Sequence, residues 1–241
     1  MKILITNDDG IFAEGILTLA AWAKKLGSVM VVAPKTEQSG KSHGIDIHNP
    51  FEVKRADVLS GVRAFSVDST PADCVRFATA GLGESFDLVL AGINRGFNVG
   101  EDIAYSGTCG AIFEAAYLGI PSVALSTDPA SFASASAHLD TVYDYFLTHD
   151  LFAHNLLYNV NIPLDVKGIR LTRQGGAYYK DHFIHQGGDL YLADGYSVYQ
   201  GTQDFTRDTD ATLSGYLSIT PLSVDRTAGA AYAELARLNE S

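Results

Sequence analysis

The chain has 241 residues and 46% of them are hydrophobic, which is enough to bury a full core in one large domain or a domain with an appendage. Its formal net charge of −11 at pH 7 argues against binding to duplex nucleic acid, which requires many Lys and Arg side chains on phosphates. No apolar run approaches the roughly 18 residues of a membrane span, and the first strand leads into acidic residues rather than a signal-peptide core. Cys74 and Cys109 lack the spacing of a zinc site or a disulfide scaffold. We therefore expect reduced thiols, no membrane partner and a cytoplasmic location.

The first two thirds of the chain alternate short apolar runs with longer amphipathic ones, which is typical of βαβ units around a parallel sheet. The predicted strands are residues 2–6, 29–33, 63–67, 87–91, 122–126 and 157–162. The predicted helices are residues 15–26, 71–81, 109–118 and 131–148, with Thr70 as the cap before Pro71. We therefore expect an α/β fold in which residues 1–165 form a Rossmann-like core, a mostly parallel sheet flanked by helices.

The remainder, residues 166–241, is predicted to be an appendage rather than an independent domain. Aromatic and glycine-rich runs, such as residues 175–179 and 189–199, indicate an extended β-hairpin. Residues 226–239 are alanine-rich, with apolar positions spaced for one buried face of a C-terminal helix. We expect that helix to pack on another subunit, so this segment is a candidate for oligomerisation.

The strongest chemical signal is the pair Asp8 and Asp9, directly after the first strand. Loops at the carboxyl ends of parallel strands line the ligand crevice, above all where the strand order reverses. Two adjacent carboxylates repel each other there, and a hard cation such as Mg²⁺ or Mn²⁺ would remove the penalty. The alternative for an isolated Asp-Asp-Gly is a solvated turn.

Three further polar loops follow strands and should open on the same edge. Ser39 offers a hydroxyl oxygen after the second strand, and Asn94 and Asn98 offer amide oxygens after the fourth. Their alternative is ordinary turn formation. Ser106, Gly107 and Thr108 lead into a helix whose free amides and positive dipole end favour phosphate, although simple N-capping would explain them equally well.

Other polar residues have plainer interpretations. His43, four residues after Ser39, is a candidate for a polar contact, and Glu114 is expected to be buried or paired near its helix. Arg95 could clamp a phosphate or pair with a nearby acid. None of these three is assigned to catalysis.

The sequence of these loops resembles that of the SurE (survival protein E) family of metal-dependent nucleotidases. The resemblance is carried by ITNDDG at residues 5–10, AP at 33–34 with SG at 39–40, GIN at 92–94 with Gly96, Asn98 and Gly100, YSGT at 105–108, and GYLSITPL at 215–222. Any one block could arise by chance, but the ordered set spans most of the chain. The departures include Asp46 and Phe113, and residues 178–205 match only loosely, so base preference and oligomer size stay open.

The resemblance implies a 5'-nucleotidase, a phosphatase that hydrolyses nucleoside 5'-monophosphates to nucleoside and phosphate. It also implies that 3'-nucleotides and short polyphosphate are possible substrates. One divalent cation per subunit, Mg²⁺ or Mn²⁺, would be held by Asp8, Asp9, Ser39 and Asn94, and the two aspartates would also be the catalytic residues. Asn98, Ser106, Gly107 and Thr108 would surround the phosphate. The C-terminal segment would reach across a dimer, giving a homodimer or a dimer of dimers.

Two other functions compete with this one. A receiver-like signalling module also places an acidic pair after its first strand, but it requires an acceptor Asp after the third strand and a Lys after the fifth. Here Asp68 is followed by Ser-Thr-Pro, and Ser126 by Thr-Asp-Pro. A non-catalytic nucleotide-binding protein would use the same loops to hold phosphate, and only turnover would separate it from an enzyme.

Overall fold

The computed structural model describes residues 1–240 and consists of one large sheet, flanking helices and a projecting hairpin. The strands are β1 (Lys2–Thr6), β2 (Ser28–Pro34), β3 (Val53–Ala56), β4 (Arg63–Val67), β5 (Leu88–Arg95), β6 (Ser122–Thr127), β7 (Leu157–Ile162), β8 (Ile169–Leu171), β9 (Tyr179–Gly187), β10 (Leu190–Ser197) and β11 (Leu217–Pro221). The helices are α1 (Glu14–Ala23), α2 (Pro71–Arg76), α3 (Gly107–Tyr117), α4 (Phe132–Thr148), α5 (Leu151–His154), α6 (Asp208–Leu213) and α7 (Gly229–Leu235).

The strand order of the large sheet is β3-β4-β2-β1-β5-β6-β7-β11-β8. The six strands from β4 to β7 are mutually parallel, whereas β3 and β11 run antiparallel to their neighbours β4 and β7. From β1 the chain winds outward through β2 and β4, then returns to β5 on the other side of β1. The switch point therefore lies between β1 and β5, and the crevice at their carboxyl ends is where such sheets bind ligands.

The sheet is covered on both faces because its central strands are apolar throughout. In β1, Ile3 and Ile5 face the layer formed by α1 and α4, and Leu4 faces the layer formed by α2 and α3. All three side chains are fully buried. Burying each contributes on the order of 2 kcal/mol to folding. The core thus fixes the ends of β1 and β5, where the polar loops begin.

The last third of the chain adds β8 and β11 to the sheet and projects the β9–β10 hairpin away from it. β11 inserts between β7 and β8, while β9 and β10 form a separate antiparallel pair. Two aspartates of α6 hold the base of this hairpin: the Asp208 carboxylate accepts the Gly175 amide at 2.8 Å, and that of Asp210 accepts the Tyr199 hydroxyl at 2.5 Å. Every residue of β9 and β10 is exposed on both faces. α7 has no buried residue, so its predicted apolar face is uncovered in the single chain.

The predicted fold class is confirmed, with shifts at element ends. The helix predicted for residues 71–81 is α2 continued by one wider π-helical turn, Phe77–Gly81, and Thr70 accepts the Asp73 amide at 3.1 Å as its cap. β3, β8 and β11 were not predicted: all three are short, and β8 and β11 also pair with strands distant in sequence. Cys74 and Cys109 are free and buried. No helix in residues 1–240 combines the length and hydrophobicity needed to cross a bilayer.

Candidate active site at the carboxyl ends of β1 and β5

The turn after β1 places its first aspartate in the interior. Asp8 is only 4% exposed, and Thr6 and Asn7 before it are fully buried. The Asn7 side-chain amide donates to the Gly10 carbonyl at 2.9 Å, which closes the turn. This is a buried, shaped turn at the switch point and not the solvated Asp-Gly turn that the isolated motif could have been.

Asp8 is held against the start of α3. The Thr108 hydroxyl donates a hydrogen bond to Asp8 Oδ1, and Gly107 lies directly against the same side chain. A Cβ atom at residue 107 would come within 2.9 Å of the Asp8 Cβ, so only glycine fits without a shift. Burial raises the pKa of Asp8 above its ordinary value, although the hydrogen bonds from Thr108 oppose this. The charge of Asp8 is therefore costly unless a cation lies nearby.

Asp9 is half-buried and points to the end of β5. Its Oδ2 accepts the backbone amide of Arg95 at 3.4 Å. Burial and the neighbouring charge of Asp8 raise the pKa of the Asp9 carboxyl to about 6. A second carboxylate whose charge is disfavoured by the first is the arrangement that a divalent cation stabilises.

The loop after β2 reaches the same turn. The Gln38 amide donates to the Asp8 carbonyl at 2.7 Å, and Ser39 follows immediately. Ser39 is exposed, and its hydroxyl donates to the Glu37 carboxylate at 2.7 Å. Ser39 therefore lies in a loop that is attached to the Asp8 backbone, at the edge of the sheet where β1 ends.

Asn94 completes this edge from β5. Its side-chain amide nitrogen donates to the Gly96 carbonyl at 2.8 Å, so the nitrogen is occupied by its own loop and the carboxamide oxygen is left for another partner. Arg95, the next residue, has its guanidinium 3.8 Å from the Glu14 carboxylate and over the ring of Phe132 at 5.0 Å. Of the two interpretations of Arg95, the structure shows pairing with an acid.

Asn98 is fixed by a network that the sequence analysis missed. Its backbone amide donates to Asn161 Oδ1 at 2.9 Å, and its carbonyl accepts the side-chain amides of Asn159 at 2.7 Å and Asn161 at 3.1 Å. Its own side-chain amide donates to the Ser126 hydroxyl at 2.9 Å. All four residues are buried. The detectable signal was two asparagines at alternate positions of the apolar strand LYNVNI, because buried amides require partners.

The start of α3 lies against the acidic turn, where the Thr108 amide donates a hydrogen bond to the Asp8 carboxylate. Ser106 is the N-cap, and its hydroxyl accepts the Cys109 amide at 3.1 Å. Capping, left open as an alternative for Ser106, is therefore observed. Ser106, Gly107 and Thr108 are all buried, so the positive end of the helix dipole lies in a region of low solvent content.

The donor set suits a hard divalent cation. It combines two carboxylates at Asp8 and Asp9 with neutral oxygens at Ser39 and Asn94. Within residues 1–240, no three His, Cys, Asp or Glu side chains form a group that could hold a metal, so neutral oxygens would have to complete the coordination. In the same part of the chain the buried Oδ1 of Asn7 accepts no hydrogen bond, which leaves one more oxygen donor next to Asp8 in sequence.

Comparison with known proteins identifies the family of the chain. Residues 3–181 match the family described as survival protein SurE. The chain is 36% identical to the "5'-nucleotidase SurE" of Clostridium beijerinckii over all of both chains, and 42% identical to that of Syntrophotalea carbinolica over 94% of this chain and 93% of the relative. The crystal structure of the SurE protein from Aquifex aeolicus superposes with a TM-score of 0.80 at 32% identity, covering 99% of this chain and 100% of that one. The chain therefore belongs to the SurE family.

Proposed function

We propose that this protein is a metal-dependent 5'-nucleotidase, which hydrolyses nucleoside 5'-monophosphates to nucleoside and phosphate. The observation that carries the proposal is the contact between Asp8 and Thr108, which joins the acidic turn to the start of α3. Acidic ligands for a cation and amide donors for a phosphate are thereby next to each other. The names of the relatives support the nucleotide as substrate.

The proposed metal site consists of Asp8, Asp9, Ser39 and Asn94. It would hold one Mg²⁺ or Mn²⁺ per subunit, because carboxylate, hydroxyl and carboxamide oxygens are the ligands these ions prefer. When bound, such a cation neutralises charge on the phosphate and on the acidic pair. The raised pKa of both aspartates supports the assignment, since each charge is disfavoured without a counter-ion.

The proposed phosphate contacts are Asn98, Ser106, Gly107 and Thr108. The start of α3 would face the phosphate, and the helix dipole favours the negative charge that spreads over the phosphate oxygens during transfer. Gly107 allows the phosphate to approach the backbone closely. Asn98 is immobilised by its buried partners, so its contribution requires no rearrangement when the substrate binds.

Asp8 and Asp9 are the proposed catalytic residues, with Asp8 as the general base. The hydrogen bond from Thr108 fixes the orientation of the Asp8 carboxylate, which then accepts a proton from the attacking water. Asp9 keeps the second negative charge of the pair close to the reacting group. Trapping of a labelled aspartyl-phosphate on Asp8 would contradict this water mechanism and assign Asp8 as the nucleophile.

The wider assignments extend the same proposal. We include 3'-nucleotides and short polyphosphate as further substrates, and a cytoplasmic location. We also propose a homodimer or a dimer of dimers formed through the hairpin and tail. The side chains of Phe183 and Leu190 are each 69% exposed, and that of Tyr232 is 61% exposed. Exposed apolar patches of this kind mark association surfaces.

The test is phosphate release from a panel of nucleoside monophosphates with Mn²⁺, Mg²⁺ or a chelator. We expect metal-dependent release from the wild type and a loss of at least about 1,000-fold in Asp8→Asn, because the base and a metal ligand are removed together. Asp144→Asn, at an exposed position of α4, is the matched control and should retain full activity. No release from folded wild-type protein with any metal would instead indicate a nucleotide-binding or receiver-like module.

A further inference from the structure

The exposed loop that carries Ser39 is seated directly on α3. The Ser42 amide donates to the Tyr105 carbonyl at 2.9 Å, and its hydroxyl donates to the Ala104 carbonyl at 2.6 Å. A Cβ atom at residue 110 would lie 2.1 Å from the Ser42 carbonyl oxygen, so Gly110 of α3 is what allows the loop to come this close. Ser42 has a φ of 54°, in the left-handed region that is strained for serine. Contacts must therefore maintain the shape of this loop.

The side chain of His43 supplies two further contacts. Its Nε2 lies 2.8 Å from Glu114 Oε2, and each of the two side chains is only 16% exposed. The imidazole also stacks on Tyr117, with ring centroids 5.7 Å apart and planes at 16°. Both partners of His43 belong to α3, the helix whose Thr108 holds Asp8.

A second chain of contacts reaches the far end of the same loop. Glu114 Oε1 lies 3.9 Å from Arg76 Nε, and Arg76 pairs with Asp73 at 2.9 Å. The buried Asp73 carboxylate then accepts the Asp46 amide at 2.8 Å. Glu114 is therefore connected to both the middle and the end of residues 38–46, which we call the Ser39 loop.

We infer that His43 and Glu114 are positioning residues that fix the Ser39 loop on α3, so that the Ser39 hydroxyl is held beside Asp8 and Asp9 before a cation binds. This inference rests on the proposed role of Ser39 as a metal ligand. A loop that is ordered in advance loses less conformational entropy on binding. The pair should therefore raise the affinity for the metal without taking part in the chemical step.

Two amide substitutions at residue 43 separate this role from a general structural one. The side-chain nitrogen of glutamine reaches the position of histidine Nε2 and can still donate to Glu114, whereas asparagine reaches only the position of Nδ1. We expect His43→Asn and His43→Ala to weaken Mn²⁺ binding about tenfold, as is usual when a group that orients a ligand is lost. His43→Gln should stay within about threefold of the wild type, because it keeps the contact. His43→Asn and His43→Gln lose the ring stacking on Tyr117 equally, so each of these two is the control for the other.

The measurements are calorimetric titration with Mn²⁺ in the absence of nucleotide and, separately, the dependence of phosphate release on Mn²⁺. At saturating Mn²⁺, kcat of His43→Asn should lie within about twofold of the wild type, because the chemical step is unchanged. His43→Ala combined with Glu114→Ala should lose less affinity than the sum of the two single changes, since both remove the His43–Glu114 contact. Thermal unfolding of each variant checks that the protein is folded.

Equal Mn²⁺ affinity in His43→Asn and the wild type would overturn the inference, as would equal losses in His43→Asn and His43→Gln. Should His43→Ala fail to fold, Glu114→Ala replaces it: we expect the same loss of Mn²⁺ affinity, and an unchanged affinity would overturn the inference. Wild-type protein that binds Mn²⁺ without hydrolysing any nucleotide would reject the proposed function and leave the inference standing. Wild-type protein that binds no Mn²⁺ would reject both.

Discussion

The two sides of the candidate site are built in opposite ways. On one side, Asp8, Thr108 and Asn98 are at most 8% exposed and are held by partners in the sheet and in α3. On the other side, Ser39 is exposed, in a loop that only touches the surface of the core. The buried wall is fixed by the same packing that folds the domain, whereas the loop must be held by a few specific contacts.

This difference separates stability from metal affinity. A change in the buried wall should damage both activity and folding, because each polar group there has a partner that would be left unsatisfied. A change in the loop should alter how tightly a cation binds and leave the free energy of unfolding almost untouched. Substitutions on either side of the site therefore test whether the two sides differ in this way.

Of the three substitutions that compare the two sides, Thr108→Val should have the largest effect, because it replaces the hydroxyl that orients Asp8 with a methyl group of the same size. We expect kcat to fall about 100-fold, since a misplaced catalytic group typically costs that much. The free energy of unfolding should fall by about 1–3 kcal/mol, because Asp8 Oδ1 loses its buried donor. Steady-state phosphate release and urea unfolding measure the two quantities. Thr108→Ser keeps the hydroxyl and should restore most of the activity; a serine variant as poor as valine would refute the assigned contact.

An intermediate effect is expected for Asn161→Ala, which removes two hydrogen bonds to the Asn98 backbone. We expect a loss of about 2 kcal/mol in stability and about tenfold in kcat/KM, because Asn98 is no longer held in place. Asn155→Ala is the matched control: Asn155 also makes two hydrogen bonds to backbone carbonyls, at Leu157 and Leu222, but away from the site. The control should lose stability and keep its kcat/KM. Similar kcat/KM values for both variants would show that the network stabilises the fold without serving the site.

The smallest overall effect is expected for Ser39→Ala. We expect the half-saturating Mn²⁺ concentration to rise about tenfold, since one oxygen donor is lost. The free energy of unfolding should change by less than about 0.5 kcal/mol, as is usual at an exposed position. Ser136→Ala, on an exposed turn of α4, is the control and should match the wild type in both measurements. A large loss of stability in Ser39→Ala would show that the loop, like the buried wall, contributes to the free energy of unfolding, and that the two sides do not differ as proposed.

The elements and loops that sequence analysis predicted are those with a local signal. β1 and β7 have the predicted bounds, because short runs rich in Ile, Leu and Val define them without reference to the rest of the chain. The approach of the turn after β1 to the end of β5, seen in the hydrogen bond from Arg95 to Asp9, was also predictable, since both lie at the carboxyl ends of strands in one parallel sheet. Thr108 was expected near phosphate, and its hydrogen bond to Asp8 adds a contact that spacing alone could not reveal.

What sequence analysis missed depends on pairing across long distances. β11 pairs with β7 and β8 across more than 40 residues of intervening chain, and no local pattern records such a pairing. His43 and Glu114 are 71 residues apart, and their contact depends on how the loop lies on α3. The roles of the metal and phosphate residues, and the division of the chain near residue 165, remain predictions.

The single helix α3 has a consequence for how such chains can vary over evolutionary time. Thr108 contacts the acidic turn and Glu114 contacts the Ser39 loop. The six-residue interval between them sets the angle, around the helix axis, between the directions of these two side chains. One residue inserted within that interval would rotate one contact about 100° away from the other. Insertions and deletions should therefore be tolerated after Tyr117, where the helix ends, and rejected within the interval.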